Sequence, residues 1–371
     1  MENKNNIRLI IAGGGTGGHI FPAIAIANAV KRLQPDSEIL FVGAKGKMEM
    51  EKVPKEGYKI IGLDIAGFDR SSLLKNIFLP IKLVKSFIQA KNIIKEFKPT
   101  VAVGVGGYAS FPMLFMAQQK GIATLLQEQN SFAGKSNKIL GKKASAICVA
   151  YNDMERFFPA DRIIKTGNPV RQTIASSKIS KQEGLDFFRL KSTSKVVFAF
   201  GGSLGAKSIN ETLMAQFKTI IEDGTQLIWQ TGTPLFNAAK DAVKGFEENV
   251  KVFEFIREMD YAYAAADVII SRAGASSISE LCIVGKPVVF VPFPFASEDH
   301  QTHNAMALVK HNAALLVKNS DTNEELISKV KMLLNDEQQC ELMRTNIKQL
   351  AITNADDRIA TKIKEIANEW N

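Results

Sequence analysis

The chain has 371 residues, 46% of them hydrophobic, three cysteines and a formal net charge of +9. That length exceeds one ordinary core and predicts two domains of roughly 150–200 residues. Cys148, Cys282 and Cys340 are scattered without a CxxC or Cys/His spacing, which excludes a disulfide framework and a zinc site and suits a reducing compartment.

The start, "MENKNNIRLI", runs from charge straight into a strand, and no apolar run reaches about 18 residues, so neither export nor a membrane span is expected. The first strand, "IRLIIAG", leads into the glycine-rich turn 13–19 and a helix over 21–33. "EILFVGA" and "YKIIGL" are the next strands, followed by a helical stretch 72–97. Then come the strand "TVAVGVGG", a helix 111–120, and the strands "ATLLQE" and "AICVA". The polar stretch 165–195 breaks this rhythm and reads as the crossing between domains. The rhythm restarts with "KVVFAFGGSLGAKSINETL", "QLIWQTG" and "VKVFEFI", a helix 258–266, "DVIISRAG", a helix 276–284, "PVVFVPFP", a helix 300–311, "AALLVK" and helices to the end. Strands alternating with helices predict an α/β fold of parallel sheets covered on both faces, here two doubly wound halves in series. Both halves open with a strand, a glycine-rich turn and a helix start, a repeat of architecture rather than of sequence. Ligands of such sheets sit at the carboxyl ends of the strands.

Gly13, Gly15 and Gly18 satisfy GxGxxG, which raises a dinucleotide fold as one possibility. A nicotinamide-binding unit wants an acidic residue closing the second strand. Here that strand ends in Gly43, Ala44 and Lys45, with Glu38 at its beginning. What the turn offers in any case is close backbone approach and helix N-terminal N–H groups that attract anions. His19, at the helix start, either packs the turn or takes part in chemistry at its rim; an imidazole with an ordinary pKa of ~6.5 suits both.

Two further glycine turns, "GVGGYAS" at 104–110 and "GGSLGA" at 201–206, each follow an apolar strand. With "LQEQNSFAGKSNK" (126–138), "GNPVR" (167–171), "SRAGASSISE" (271–280) and "EDHQTHNA" (298–305), they form an ordered set through essentially the whole chain. That set resembles the undecaprenyldiphospho-muramoylpentapeptide N-acetylglucosaminyltransferases of the GT-B glycosyltransferases. The resemblance implies two Rossmann-like doubly wound parallel-sheet domains facing a cleft. An acceptor and membrane-binding domain spans 1–168, joined by the C-terminal helix 352–371, and a UDP-N-acetylglucosamine-binding domain spans 169–351. It implies inverting transfer of N-acetylglucosamine to the 4-hydroxyl of the muramoyl sugar of lipid I, giving lipid II for peptidoglycan.

By the same resemblance, Glu280 takes the ribose hydroxyls, Ile256 and Arg272 lie beside the uracil, whose edge is read by backbone groups, Ser203 and Arg171 contact the diphosphate, and Gln301, with Asn304 behind it, holds the sugar. Thr16, Gly17, Gly18 and Asn130 join the donor contacts. Gly15, Gly106, Gly107, Tyr108 and Asn137 face the acceptor. His19 is the first choice of general base and Glu128 the second, help typically worth ~10²–10⁴-fold. Beside the positive end of a helix an imidazole is kept neutral and able to accept a proton. Two positions depart from the family pattern: His300 precedes Gln301 where some members have two glutamines, and Gln127 stands where histidine is frequent. Loop N–H groups and the helix dipole can stabilise the departing diphosphate, so no cofactor is expected, magnesium is not essential, and no DxD pair stands at a strand end to form a metal site.

Residues 71–98 hold six lysines against one glutamate, interleaved with apolar side chains. Part of this is an ordinary amphipathic core helix. The remainder, Lys75, Ile77, Phe78, Ile81, Lys82 and Lys85, reads as an anchor on anionic lipid, at ~1 kcal/mol per lysine near the surface. The expected location is therefore peripheral, on the cytoplasmic face of the inner membrane. UDP-N-acetylglucosamine, lipid I and other cell-wall synthesis proteins are the expected partners. Nucleic acid is not, because basic clusters with stacking aromatics and helix-turn-helix or zinc signatures are missing. The alternatives are another UDP-sugar GT-B enzyme with a different lipid acceptor, a UDP-sugar epimerase, and a non-enzymatic nucleotide-sugar-binding scaffold.

Overall fold

The computed structural model describes residues 6–65, 79–202 and 204–369. The chain forms two compact units, 1–170 with 354–371, and 171–353.

Among the described residues the first unit builds a seven-stranded parallel sheet from β1 (Arg8–Gly13), β2 (Glu38–Ala44), β3 (Lys59–Leu63), β4 (Val101–Gly106), β5 (Ala123–Glu128), β6 (Ala146–Val149) and β7 (Ile163–Lys165), in the order β3-β2-β1-β4-β5-β6-β7. These strands are apolar at successive positions because both faces are covered. Leu9 and Ile11 point to one face, against Ile20, Ile26 and Val30 of the helix Gly17–Leu33 and Ile359 and Ile363 of the helix Ala355–Glu369. Ile10 and Ala12 point to the other, against Ala90 and Ile94 of Leu79–Phe97 and Met113 and Leu114 of Ser110–Gln119. The C-terminal helix is also held at its start, where Arg32 donates to Asp356 and Asp357, each at 2.8 Å.

The second unit, again among the described residues, is a six-stranded parallel sheet. Its strands are β8 (Val196–Phe200), β9 (Gln226–Gln230), β10 (Val250–Phe253), β11 (Val268–Ser271), β12 (Val288–Phe290) and β13 (Leu315–Leu316), in the order β10-β9-β8-β11-β12-β13. In each sheet the first strand in sequence lies centrally, and the chain reverses direction of winding beside it. That switch point is where the carboxyl ends of neighbouring strands leave room for a ligand.

Three differences from the sequence expectations have physical causes. The first helix begins at Gly17, not 21: its N–H ladder starts with Ile20 donating to the Thr16 carbonyl at 3.1 Å, over residues whose low helix propensity conceals it. The stretch 165–195 is not a free crossing. It contains the helices Gln172–Ala175 and Lys181–Phe187, the latter opened by a Ser180/Glu183 capping box and packed so closely on Met259–Ala265 that a side chain at Gly184 would lie 2.6 Å from the Tyr261 carbonyl oxygen. Short helices at Glu49–Lys55 and Lys135–Gly141 were not expected, since seven residues carry too little periodicity to register.

Candidate functional site

In the first unit two glycine turns meet backbone to backbone at the carboxyl ends of β1 and β4. The pairing shifts register between Ala12 and Gly13, and the Gly14 N–H donates to the Gly106 carbonyl at 3.2 Å. A side chain at Gly107 would collide with the Gly14 carbonyl oxygen, so the approach requires glycine. His19 folds back from the first helical turn onto this junction. Its Nδ1 lies 3.1 Å from the Gly14 carbonyl oxygen and 3.3 Å from Thr16 Oγ1. A carbonyl only accepts, so Nδ1 carries a proton, and in the neutral ring the lone pair is then on Nε2. A Cβ at Gly106 would stand 2.9 Å from Nε2; glycine there leaves that nitrogen uncovered by a residue-106 side chain. Tyr108 follows, half exposed.

One residue of this junction was not anticipated from the sequence. Glu49, first in its helix and 1% exposed, accepts from the Gly15 N–H at 2.7 Å and from the Ala44 N–H at 2.9 Å. Gly15, expected to offer its N–H to the acceptor, has it occupied. Gly17 and Gly18, expected among the donor contacts, open this helix, where backbone N–H groups have no intrahelical acceptor. An acidic residue opening a helix just after a glycine-bearing strand end was the available signal.

Glu128, at the end of β5, is buried. Its Oε1 accepts from the Asn130 backbone at 3.1 Å and side chain at 3.3 Å, and its Oε2 from Gly134 N–H at 3.2 Å and Asn137 Nδ2 at 2.9 Å. Burial pushes its carboxyl up despite these donors. With both oxygens taken up by these donors, Glu128, expected as the second choice of base, organises the 129–137 loop. Asn130 and Asn137, expected at donor and acceptor respectively, spend side-chain nitrogens on that carboxylate. Gln127, at the departure position, donates to Asn168 at 2.9 Å and accepts from Gln129, while Asn168 donates to the Gln129 carbonyl.

In the second unit, Arg171 and Glu280, assigned to different parts of a donor, hold each other. Arg171 Nε and Nη2 donate to Glu280 Oε1 and Oε2 at 2.7 and 2.8 Å, and the buried Tyr263 hydroxyl donates to Oε2 at 3.1 Å. Burial, then the adjacent carboxylate, pushes the Tyr263 phenol well up. Arg272, expected at the uracil side through its backbone, uses its side chain elsewhere: the guanidinium donates to the Val291 and Pro292 carbonyls, Asn319 Oδ1 and Ser208 Oγ, clamping the loop after β12. Burial without a carboxylate among these partners pushes it down to about 10. The Ile256 N–H is spent on Gln230 Oε1 at 2.9 Å, which leaves its carbonyl for the expected contact with a base.

Gln301 accepts through Oε1 from Ala273 N–H at 3.2 Å and Phe293 N–H at 3.0 Å, so its amide nitrogen is the part able to donate to a sugar hydroxyl. Asn304 is buried one turn on. His300 Nδ1 donates to the Ser297 carbonyl at 2.7 Å, a local turn contact. Ser203, and with it the expected phosphate contact, lies outside the described residues, as do Lys75, Ile77 and Phe78.

Of the expected membrane patch, Ile81 and Lys82 are exposed on the helix Leu79–Phe97, and Ile81, Val84 and Ile88 (65%, 59% and 56% exposed) form one stripe. Lys85 instead pairs with Asp64 at 2.8 Å. No helix among the described residues is long and apolar enough to cross a membrane, and no group of three or more His, Cys, Asp or Glu among them could hold a metal ion.

A model of the glycosyltransferase family 28 N-terminal domain matches residues 9–149, and one of the glycosyltransferase family 28 C-terminal domain matches 196–359. The chain is 52% identical over 364 residues to a protein of Parabacteroides distasonis, covering 98% of this chain and 99% of that one. It is 50% identical over 368 residues to one of Cytophaga hutchinsonii, covering 99% of each. Both relatives are named UDP-N-acetylglucosamine--N-acetylmuramyl-(pentapeptide) pyrophosphoryl-undecaprenol N-acetylglucosamine transferase. Among solved structures it is similar to Acinetobacter baumannii MurG, with 30% identity and a TM-score of 0.79 over 96% of this chain and 99% of that one. A UDP-N-acetylglucosamine 2-epimerase, 14% identical with a TM-score of 0.65 over 96% and 95% of the two chains, shares the fold alone.

Proposed function

The chain belongs to glycosyltransferase family 28, and from that premise we propose that it moves N-acetylglucosamine from UDP-N-acetylglucosamine to the 4-hydroxyl of the muramoyl sugar of lipid I, with inversion, giving lipid II. Half-identity along the full length of relatives named for this transfer carries the conclusion. Its two Rossmann-like units have the GT-B fold.

The second unit holds the donor: Glu280 takes the ribose diol, Arg171 the diphosphate, the Ile256 carbonyl the uracil edge and the Gln301 amide nitrogen a sugar hydroxyl. The first unit holds the acceptor at its paired glycine turns, where Nε2 of His19 takes the proton of the attacking hydroxyl. Inversion follows from a single displacement: the new glycosidic bond forms as the bond to UDP breaks, and the diphosphate leaves with the electron pair. Arg171 and helix-end N–H groups meet that charge. Magnesium is not needed in this scheme, and turnover is expected to survive chelation by EDTA; collapse of the rate under chelator, restored by added magnesium, would oppose it.

The exposed stripe of the helix Leu79–Phe97 supports peripheral attachment to an anionic membrane surface, on the cytoplasmic face of the inner membrane. Ile81→Asp with Lys82→Glu is expected to abolish sedimentation with anionic vesicles while turnover of a short-chain soluble acceptor persists. Retained vesicle binding would move the contact elsewhere. Lys85 is left unchanged because its reversal would set a carboxylate against Asp64.

Release of UDP that requires lipid I tests the assignment as a whole. An epimerase would act on the sugar nucleotide without lipid, and a scaffold would release nothing.

A further inference from the structure

We propose that Glu49 is a positioning residue for the acceptor: its buried carboxylate fixes the glycine turn so that the acceptor's diphosphate is met by the Gly17 and Gly18 N–H groups at the helix end, and not by Gly15 at the apex. This role rests on the transferase assignment above.

Three observations converge on it. The two carboxylate oxygens take different donors, Gly15 N–H at 2.7 Å and Ala44 N–H at 2.9 Å, tying the turn after β1 to the end of β2. Two glycines are empty for its sake. A side chain at Gly14 would collide with the Glu49 carboxyl group, and a Cβ at Gly43 would lie 2.5 Å from Glu49 Cγ. Gly43 has no left-handed φ, so its backbone does not demand glycine, and the approach of Glu49 accounts for it. Finally, no ion pair of Glu49 is found among the described residues, so a negative charge buried beneath the turn is satisfied by N–H groups.

The chemistry follows from that placement. A glycine turn with free apical N–H groups would draw an anion to its tip. Here the tip is already bonded to a carboxylate, whose charge disfavours a second anion there. The helix end next to it has N–H groups without an intrahelical acceptor, and His19 stands on that same first turn. Glu49 therefore sets where the acceptor lies relative to the imidazole without touching it. A glutamine would fill the same space but present an amino group to one of the two donors, and alanine would leave both unmet.

Purified full-length wild type, Glu49→Ala and Glu49→Gln should be compared for KM and kcat with a soluble lipid I analogue, for UDP affinity by titration, and for melting temperature. Glu49→Ala is expected to raise the acceptor KM by about tenfold or more, the size of one lost charge-assisted hydrogen bond, and Glu49→Gln by less, with UDP affinity unchanged. A residue that only supports the fold would lower kcat through loss of active protein and leave KM for acceptor alone; that pattern, or no change, overturns the proposal. If Glu49→Ala is insoluble, the isosteric Glu49→Gln decides by the same KM criterion. Wild type without lipid-dependent transfer would sink the transferase assignment, and this role with it, whereas an active wild type with unmoved variants rejects Glu49 alone.

Discussion

Turnover of His19→Ala is expected to fall by about 10²-fold or more, with UDP affinity close to that of the parent and the melting temperature lowered by only a few degrees. The reason lies in the tautomer. Nδ1 donates to the Gly14 carbonyl, which directs the lone pair to Nε2, beside a residue without a side chain. Because that bond also ties the helix start to the glycine turn, alanine removes two things at once, and the structural part is worth about 1 kcal/mol. His19→Asn separates them. Its amide can keep a donor toward Gly14 but offers no basic nitrogen, so it should be as slow as alanine while regaining stability. Steady-state kinetics and thermal unfolding of both variants suffice, and near-normal turnover in either would remove the imidazole from proton transfer.

Glu280→Ala is expected to weaken UDP binding by about tenfold or more, since the carboxylate is proposed to accept from two neighbouring ribose hydroxyls. Its partner should behave differently. Arg171→Ala strips Glu280 of both guanidinium bonds and leaves a charge whose side chain is 9% exposed facing the Tyr263 hydroxyl alone. Loss of a buried partner costs several kcal/mol; here about 1–3 kcal/mol is expected, because the Arg171 side chain is 38% exposed and water screens the pair. Arg171→Ala should thus lower the melting temperature and weaken UDP, while Glu280→Ala mainly weakens UDP. The double variant should be less damaging than the sum, as the two residues share one interaction. Titration calorimetry and thermal melts decide this: unchanged UDP affinity in Glu280→Ala removes the ribose role, and strict additivity removes the coupling.

The parallel strands were legible because both of their faces are buried, so "LIIAG" and "VAVGVG" run apolar into glycine and "VVFAF" runs apolar up to Gly201. The elements that escaped are short or begin in glycine. Gly17 and Gly18 look like loop, and only the Thr16 carbonyl accepting from His19 and Ile20 makes them helix. Family resemblance located the motifs along the chain, and yet it could not say which atoms were already committed. Glu128 was the second choice of base, and both its oxygens are filled by the loop it closes. Arg272 was expected beside the uracil through its backbone, and its guanidinium grips two carbonyls.

The order of strands and helices, the two glycine-turned halves and the motif set were determined by the sequence itself, since periodicity, glycine and proline act over a few residues. What each polar atom does was decided by tertiary structure. Gly15 and Glu49 are 34 residues apart, Arg171 and Glu280 are 109 apart, and no local rule relates them. Burial then makes those pairings obligatory, because a carboxylate or guanidinium removed from water must find donors or acceptors wherever the fold brings them.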